Sequence, residues 1–120
     1  MTQKQILTKK EKALDLFTHH LFQSRQGKLI KRVILHGSLA KGIADEESDI
    51  DVLIFANKPN EVERKAEDIA FNIMLKKGEY IEPFVYPAKE FEKPSSYFIY
   101  HAITSGRQIV PYGNRESRWA

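Results

Sequence analysis

Two aspartates begin an otherwise apolar stretch at residues 49–55, and no other feature of the sequence constrains the fold as strongly. β-Branched and aromatic residues dominate this stretch and favour a strand. Side chains alternate between the two faces of a sheet, so Asp49 and Asp51 must share one face. The opposite face is apolar, with Ile50, Val52 and Ile54. We therefore expect helices to cover the apolar face and to leave the aspartates on the other one.

The length and composition are those of a single globular domain. The chain has 120 residues, which is enough for one compact core. Apolar residues make up 42% of it and charged residues 29%, which is ordinary globular usage and indicates neither a disordered nor a fibrous class. We expect one domain over residues 1–112, followed by a polar tail over residues 113–120.

Composition also restricts the surroundings and partners of the chain. No apolar run approaches the roughly 20 residues that span a bilayer, and residues 1–5 lack the apolar core of a secretion signal. We therefore expect a cytoplasmic protein with no membrane partner. Without cysteine, a metal ion must be bound by oxygen or imidazole ligands. The formal charge of +3 is spread along the chain, so a nucleic-acid partner is permitted but not indicated.

Apolar residues at helical spacing predict the helices. A capping box that begins at Thr8 predicts the first helix over residues 9–23. Asn60 is predicted to cap the next long helix, which should stop at Gly78. Two further helices are predicted over residues 39–43 and 95–104.

Four strands are predicted between these helices, at residues 29–36, 49–55, 80–86 and 107–111. No internal repeat is present, and helices alternate with strands along the chain. The expected fold class is therefore α/β (α+β), with a sheet of about four strands in two or three layers.

The turn before the aspartates is suited to binding phosphate. A strand that enters the Gly37-Ser38 turn and then a helix start leaves backbone N–H groups and the Ser38 hydroxyl free for phosphate oxygens. Lys41 can add a positive charge. The two aspartates repel each other unless a cation lies between them, and Mg²⁺ prefers carboxylate and phosphate oxygens. These residues together predict a metal and phosphate site.

Each part of this pattern has a simpler explanation when it is taken alone. A Gly-Ser pair before a helix is usually an N-cap, and an Asp-x-Asp sequence is usually a capped strand end or a solvated turn. The combination, in this order and on a strand, turn, helix and second strand, favours the functional interpretation.

Gly37-Ser-x-Ala-Lys-Gly42 followed by Ser48-Asp-x-Asp51 resembles the signature of the DNA polymerase β-like nucleotidyltransferase superfamily, and in particular the minimal nucleotidyltransferases of bacteria and archaea. The resemblance implies the nucleotidyltransferase fold, a mixed sheet with helices packed mainly on one face. It implies catalytic and metal-binding roles for Asp49 and Asp51. The nucleotide-binding residues that it implies are Gly37, Ser38, Lys41 and Ser48.

The superfamily also uses a third carboxylate on a neighbouring strand, and Glu82 is the matching residue here. Members often carry aspartate at this position, so Glu82 departs from the commoner pattern. An exposed strand glutamate without a function is the alternative, and Glu79 and Glu90 are weaker candidates for the same role. With Glu82 included, the resemblance implies three catalytic carboxylates that are also metal ligands.

The resemblance further implies two Mg²⁺ ions, with Mn²⁺ as a possible substitute, and a nucleoside triphosphate substrate. The reaction expected from it moves a nucleoside monophosphate, AMP from ATP, to a hydroxyl group and releases pyrophosphate. Some relatives are antitoxins that modify a separate HEPN-like toxin, so a protein partner is expected. A non-catalytic module that binds a nucleotide or a partner is the alternative.

Other polar and aromatic residues are left outside the predicted site. The histidines His19, His20 and His36 are interpreted as surface or satisfied core residues, because no second histidine stands at ligand spacing. Tyr97, Phe98 and Tyr100 recur at helical spacing and are interpreted as core or as partner-facing surface rather than as a shelf for a base.

Overall fold

A computed structural model describes residues 1–109 of the chain. The predicted polar tail, residues 113–120, and the last two residues of the predicted final strand lie outside this range. Four strands form one sheet, and helices pack against both of its faces. Within residues 1–109 no helix is both long and apolar enough to span a membrane.

The first helix, α1, covers Gln3–Gln23 and begins earlier than expected. Thr2 is its N-cap: the Thr2 hydroxyl accepts from the Gln5 N–H at 3.1 Å, and the Gln5 side chain accepts from the Thr2 N–H at 2.8 Å. The predicted cap at Thr8 is therefore wrong. Thr8 lies inside the helix because the reciprocal cap at Thr2 satisfies the first free N–H groups, and buried Ile6 extends the apolar face towards the N-terminus.

The strands are β1 (Ile30–His36), β2 (Ile50–Ala56), β3 (Ile81–Pro87) and β4 (Arg107–Ile109), in the spatial order β3-β2-β1-β4. Strand β1 is antiparallel to β2 and to β4, whereas β2 and β3 are parallel. The mixed four-stranded sheet that was predicted is confirmed. A 3-10 turn at Arg25–Leu29 leads into β1.

Helix α2 covers Pro59–Lys77 and joins β2 to β3. The predicted cap at Asn60 is wrong, because Lys58 is the N-cap and Pro59 opens the helix. Proline is well suited to the first helical position, since its missing N–H would be unpaired there in any case. The end of the helix at Gly78 is confirmed, and Gly78 adopts φ 71°.

Residues 38–42 form hydrogen-bonded turns, and the short helix predicted over residues 39–43 is absent. Both Gly37 and Gly42 have positive φ, at 81° and 74°. The segment between these two glycines, residues 38–41, is too short to nucleate and extend a helix. Two helices follow β3: α3 at Lys89–Glu92, which was not predicted, and α4 at Tyr97–Ser105, capped by the Ser96 hydroxyl.

The core is divided by the sheet. The long helices α1 and α2 cover one face, where Ile50, Val52 and Ile54 are fully buried. Helix α4 covers part of the other face and packs Ile99 and Ala102 against Leu53 and Phe55. The predicted apolar face of β2 is therefore confirmed, and Asp51 lies on the less covered face.

Candidate active site

The turn between β1 and the segment that leads to β2 is closed by backbone hydrogen bonds from its C-terminal half. The N–H groups of Lys41, Gly42 and Ile43 donate to carbonyls at Gly37, Leu39 and Ser38, at 3.0–3.2 Å. Within residues 1–109, the N–H groups of Ser38, Leu39 and Ala40 make no such bond. A run of unpaired backbone N–H groups is a favourable environment for an anion.

Gly37 brings this turn against the carboxylate of Asp51. A Cβ atom on residue 37 would lie 2.6 Å from Oδ2 of Asp51, which is far inside van der Waals contact. The backbone at Gly37 also has φ 81°, a value that residues other than glycine adopt only with strain. Glycine is therefore required at residue 37 both by the backbone conformation and by the nearby carboxylate.

The strand register places the three candidate carboxylates together. Asp49 directly precedes β2, and Asp51 is the second residue of that strand. In the parallel ladder Asp51 is the register partner of Glu82, so the two side chains share a face of the sheet. Asp49 and Glu82 are exposed, and Asp51 is half-buried.

The electrostatics of Asp51 show that these carboxylates are close enough to interact. Burial raises the pKa of Asp51 most, and the negative charges of Asp49 and Glu82 raise it further, whereas His36 lowers it. Within residues 1–109, no hydrogen bond reaches the Asp51 carboxylate. The ionised form of Asp51 is thus poorly stabilised by the protein alone.

A divalent cation fits this donor set. Within the described part of the chain, no three histidine, cysteine, aspartate or glutamate side chains already form a cluster that could hold a metal ion. Mg²⁺ does not need such a cage, because it usually takes one or two carboxylates and completes its shell with water and substrate phosphates. Asp49 and Asp51 are the carboxylates that would hold it, with Glu82 alongside.

His36 lies in the site, although its place in the sequence gave no reason to include it. It is the register partner of Asp51 in the antiparallel ladder, and its ring lies 5.7 Å from the rings of Phe98 and His101 on α4. Burial and the nearby His101 lower its pKa, and Asp51 opposes this shift. The position of His36 directly before Gly37 would have identified it only once the pairing of β1 with β2 was known.

The remaining predicted residues are placed differently. Lys41 is exposed and close enough to lower the pKa of His36. The Ser48 hydroxyl donates to the Asp45 carboxylate at 3.0 Å and accepts from the Asp45 N–H at 3.0 Å, which closes the turn before β2. Nucleotide binding by Ser38, Lys41 and Ser48 stays a prediction.

The two weaker carboxylate candidates are engaged elsewhere. Glu79 is buried and accepts a hydrogen bond from Lys10 at 2.7 Å. Glu90 accepts from the Ser95 N–H at 2.7 Å, ahead of α4. Of the candidates for the third carboxylate, Glu82 is the register partner of Asp51.

Comparison with known proteins identifies the family to which this geometry belongs. The family described as "Nucleotidyltransferase domain" matches residues 21–105, which include the turn, β2 and β3. No solved structure is significantly similar to the chain.

Two similar proteins come from Methanocaldococcus jannaschii, and each is named "Putative protein adenylyltransferase". The first is 33% identical over 100 residues, which are 83% of this chain and 96% of the relative. The second is 42% identical over 59 residues, which are 48% of this chain and 60% of the relative.

Proposed function

This chain belongs to the family of nucleotidyltransferase domains and is a nucleotidyltransferase, and we propose that it moves AMP from ATP to a hydroxyl acceptor in a Mg²⁺-dependent reaction. The choice of AMP is supported by the relatives that are named protein adenylyltransferases. Their names also favour a protein as the acceptor.

One observation carries the proposal: the phosphate turn and the carboxylates meet at Gly37 and Asp51. The turn offers the unpaired N–H groups of Ser38 and Leu39, and Asp51 stands beside Asp49 and Glu82 on the adjoining strands. Anion-binding groups next to acidic groups suit a triphosphate that arrives with a cation, because neither half of the site alone neutralises both charges.

The residues divide the work by their positions. The Gly37 turn and Ser38 would hold the β- and γ-phosphates, and Asp49, Asp51 and Glu82 would hold Mg²⁺. When bound, Mg²⁺ lowers the pKa of the attacking hydroxyl and offsets charge on the leaving group. The acceptor oxygen forms a bond to the α-phosphorus, and the bond from that phosphorus to the bridging oxygen breaks. Pyrophosphate leaves with the bridging oxygen, and the hydroxyl proton passes to water.

We propose that the acceptor is a separate protein. A HEPN-like toxin that this chain modifies and neutralises would match the resemblance to minimal nucleotidyltransferases that act as antitoxins. Exposed aromatic side chains beside the site support a protein partner. Tyr97 is 76% exposed and Tyr100 55% exposed on α4, whose Phe98 and His101 contact His36. Aromatic residues are enriched at protein interfaces.

The test uses ATP labelled at the α-phosphate, in parallel with ATP labelled at the γ-phosphate, with Mg²⁺ and the product of any adjacent gene. We expect only the α-label to reach protein, with pyrophosphate released in equal amount. Asp49→Asn and Asp51→Asn should abolish transfer, whereas Asp68→Asn, at an exposed position of α2, should not. Transfer that survives both active-site substitutions contradicts the mechanism.

The alternative is a non-catalytic binding module, and nucleotide titration separates it from the enzyme. The enzyme requires ATP binding that depends on Mg²⁺ and on Asp51. Metal-independent binding, together with absent transfer, would favour the module.

A further inference from the structure

Lys10 on α1 is almost completely buried, with 1% of its side chain exposed. Its ammonium group donates to the Ser48 carbonyl at 2.7 Å and to Oε1 of Glu79 at 2.7 Å. The Glu79 side chain is 7% exposed, and its other oxygen lies 3.6 Å from the ammonium of Lys9. None of these contacts reaches Asp49, Asp51 or Glu82 directly.

The two groups bound by Lys10 stand immediately before the strands that carry the carboxylates. Ser48 precedes Asp49 in the chain, and Glu79 precedes β3, on which Glu82 lies. The first hydrogen bond between these segments, from the Ile50 N–H to the Tyr80 carbonyl at 2.8 Å, lies directly after this ion pair. The buried pair thus joins the beginnings of β2 and β3.

Stability alone is a poor reason for such a pair. Taking both charges out of water costs several kcal/mol in general, and well-packed apolar residues in place of a buried ion pair are often equally or more stable. An ammonium with directed donors, in contrast, fixes the positions of the atoms that it binds. Here those atoms are on the two segments whose spacing decides how far Asp49 and Asp51 lie from Glu82.

We propose that Lys10 and Glu79 are positioning residues that set the spacing of the three carboxylates and thereby the affinity of the site for Mg²⁺ with ATP. The inference rests on the proposed function. Helix α1 thereby contributes to the site through the backbone of Ser48, even though it covers the face of the sheet opposite to Asp51.

The main variant is Lys10→Met with Glu79→Met, which removes both charges and leaves no unpaired buried ion. We expect its Tm to lie close to that of the wild type, because removal of the buried charges offsets the loss of the hydrogen bond to the Ser48 carbonyl. The Mg²⁺ concentration for half-maximal binding of a non-hydrolysable ATP analogue, measured by calorimetry, should rise roughly tenfold, as is typical when supports of metal ligands are removed. Binding of the analogue without Mg²⁺ should not change.

The matched control removes a different ion pair between α1 and the sheet. Arg107 on β4 donates to both oxygens of Glu11 at 2.7 and 2.9 Å. The variant Glu11→Met with Arg107→Met should keep the Mg²⁺ dependence of the wild type, because β4 carries none of the three carboxylates.

A third variant, Lys10→Arg, keeps the charge but replaces a compact ammonium with a planar fork. It should fold and still weaken Mg²⁺ binding, so the proposal can be tested even if the double variant is unstable. Wild-type Mg²⁺ dependence in every folded variant of Lys10 overturns the inference. A wild type with no Mg²⁺-dependent binding instead contradicts the proposed function itself.

Discussion

Oδ2 of Asp51 lies 2.6 Å from the position that a Cβ atom would occupy on residue 37. Gly37 therefore allows the turn at residues 37–42 and the Asp51 carboxylate to occupy neighbouring space. Gly42, at the other end of the turn, has a similar positive φ but no atom within 4 Å of such a Cβ. The two glycines are a matched pair for separating backbone strain from contact with Asp51.

We predict that Gly37→Ala abolishes Mg²⁺-dependent nucleotide binding, whereas Gly42→Ala weakens it at most slightly. Both substitutions carry a backbone cost of roughly 1 kcal/mol, but only Gly37→Ala displaces the Asp51 carboxylate. Calorimetric titration with ATP and Mg²⁺, and urea unfolding of both variants, are the measurements. Equal losses of binding in the two variants would contradict the contact argument.

Asp51→Asn should lower activity and raise stability. Activity should fall at least about a hundredfold, because several kcal/mol of charge stabilisation depends on the bound metal. Stability should rise at neutral pH because burial, Asp49 and Glu82 raise the pKa of Asp51 and disfavour its ionised form. Thermal unfolding without metal should show a higher Tm for the variant.

The pH dependence of that gain has a definite sign. A raised pKa means that the folded wild type binds a proton more tightly than the unfolded chain does, so this site becomes less destabilising as the pH falls towards the ordinary carboxyl value of 3.8. The difference in unfolding free energy between Asp51→Asn and wild type should therefore shrink from pH 7 to pH 4. A difference that stays constant over this pH range would show that the gain in stability does not come from the titration of Asp51.

Glu82→Gln tests the third carboxylate. Because Glu82 faces the same side as its register partner Asp51, we expect lower transfer and a higher Mg²⁺ requirement, each by roughly tenfold or more. Glu82→Asp should keep part of the activity, since it retains the charge. Glu67→Gln, at an exposed position of α2, is the control. Activity of Glu82→Gln within about twofold of that control would exclude Glu82 from the site.

His36→Phe should remove a pH-dependent loss of stability. Burial and His101 lower the pKa of His36, and its Nε2 atom is buried without a hydrogen-bond partner in the described residues. A lowered pKa means that the unfolded chain takes up the proton more readily, so stability falls as the pH drops through the usual value of 6.5. Urea unfolding between pH 7.5 and 5 should show a smaller decline in His36→Phe than in wild type.

Tyr97→Ala tests whether a protein acceptor docks on α4. Tyr97 is largely exposed and stacks on His101, with ring centroids 5.8 Å apart. We expect kcat/KM for the protein acceptor to fall about tenfold, as for an interface aromatic, with unchanged Mg²⁺-dependent ATP binding. Phe71→Ala, an exposed aromatic change on α2, is the control; equal effects of the two would argue against docking at α4.

The sequence alone determined the positions of the strands and the face that Asp49 and Asp51 share. The apolar alternation of residues 50–54 requires Asp49 and Asp51 to share a face, because the period of a strand is two. The three strands whose predicted ends both lie within residues 1–109 were each predicted to within a residue or two. Helix starts were less certain, since Thr2 and Thr8 can both begin a capping box and only the packing of Ile6 and its neighbours decides between them.

The tertiary structure decided which distant residues meet. Glu82 was chosen over Glu79 and Glu90 by resemblance, but its pairing with Asp51 follows from the parallel register of β2 and β3. His36 and Lys10 gave no local signal, because one depends on the antiparallel pairing of β1 and the other on the way α1 crosses the strand starts. Local periodicity specifies the face on which a side chain lies, whereas its neighbours across the sheet are set by register and helix packing.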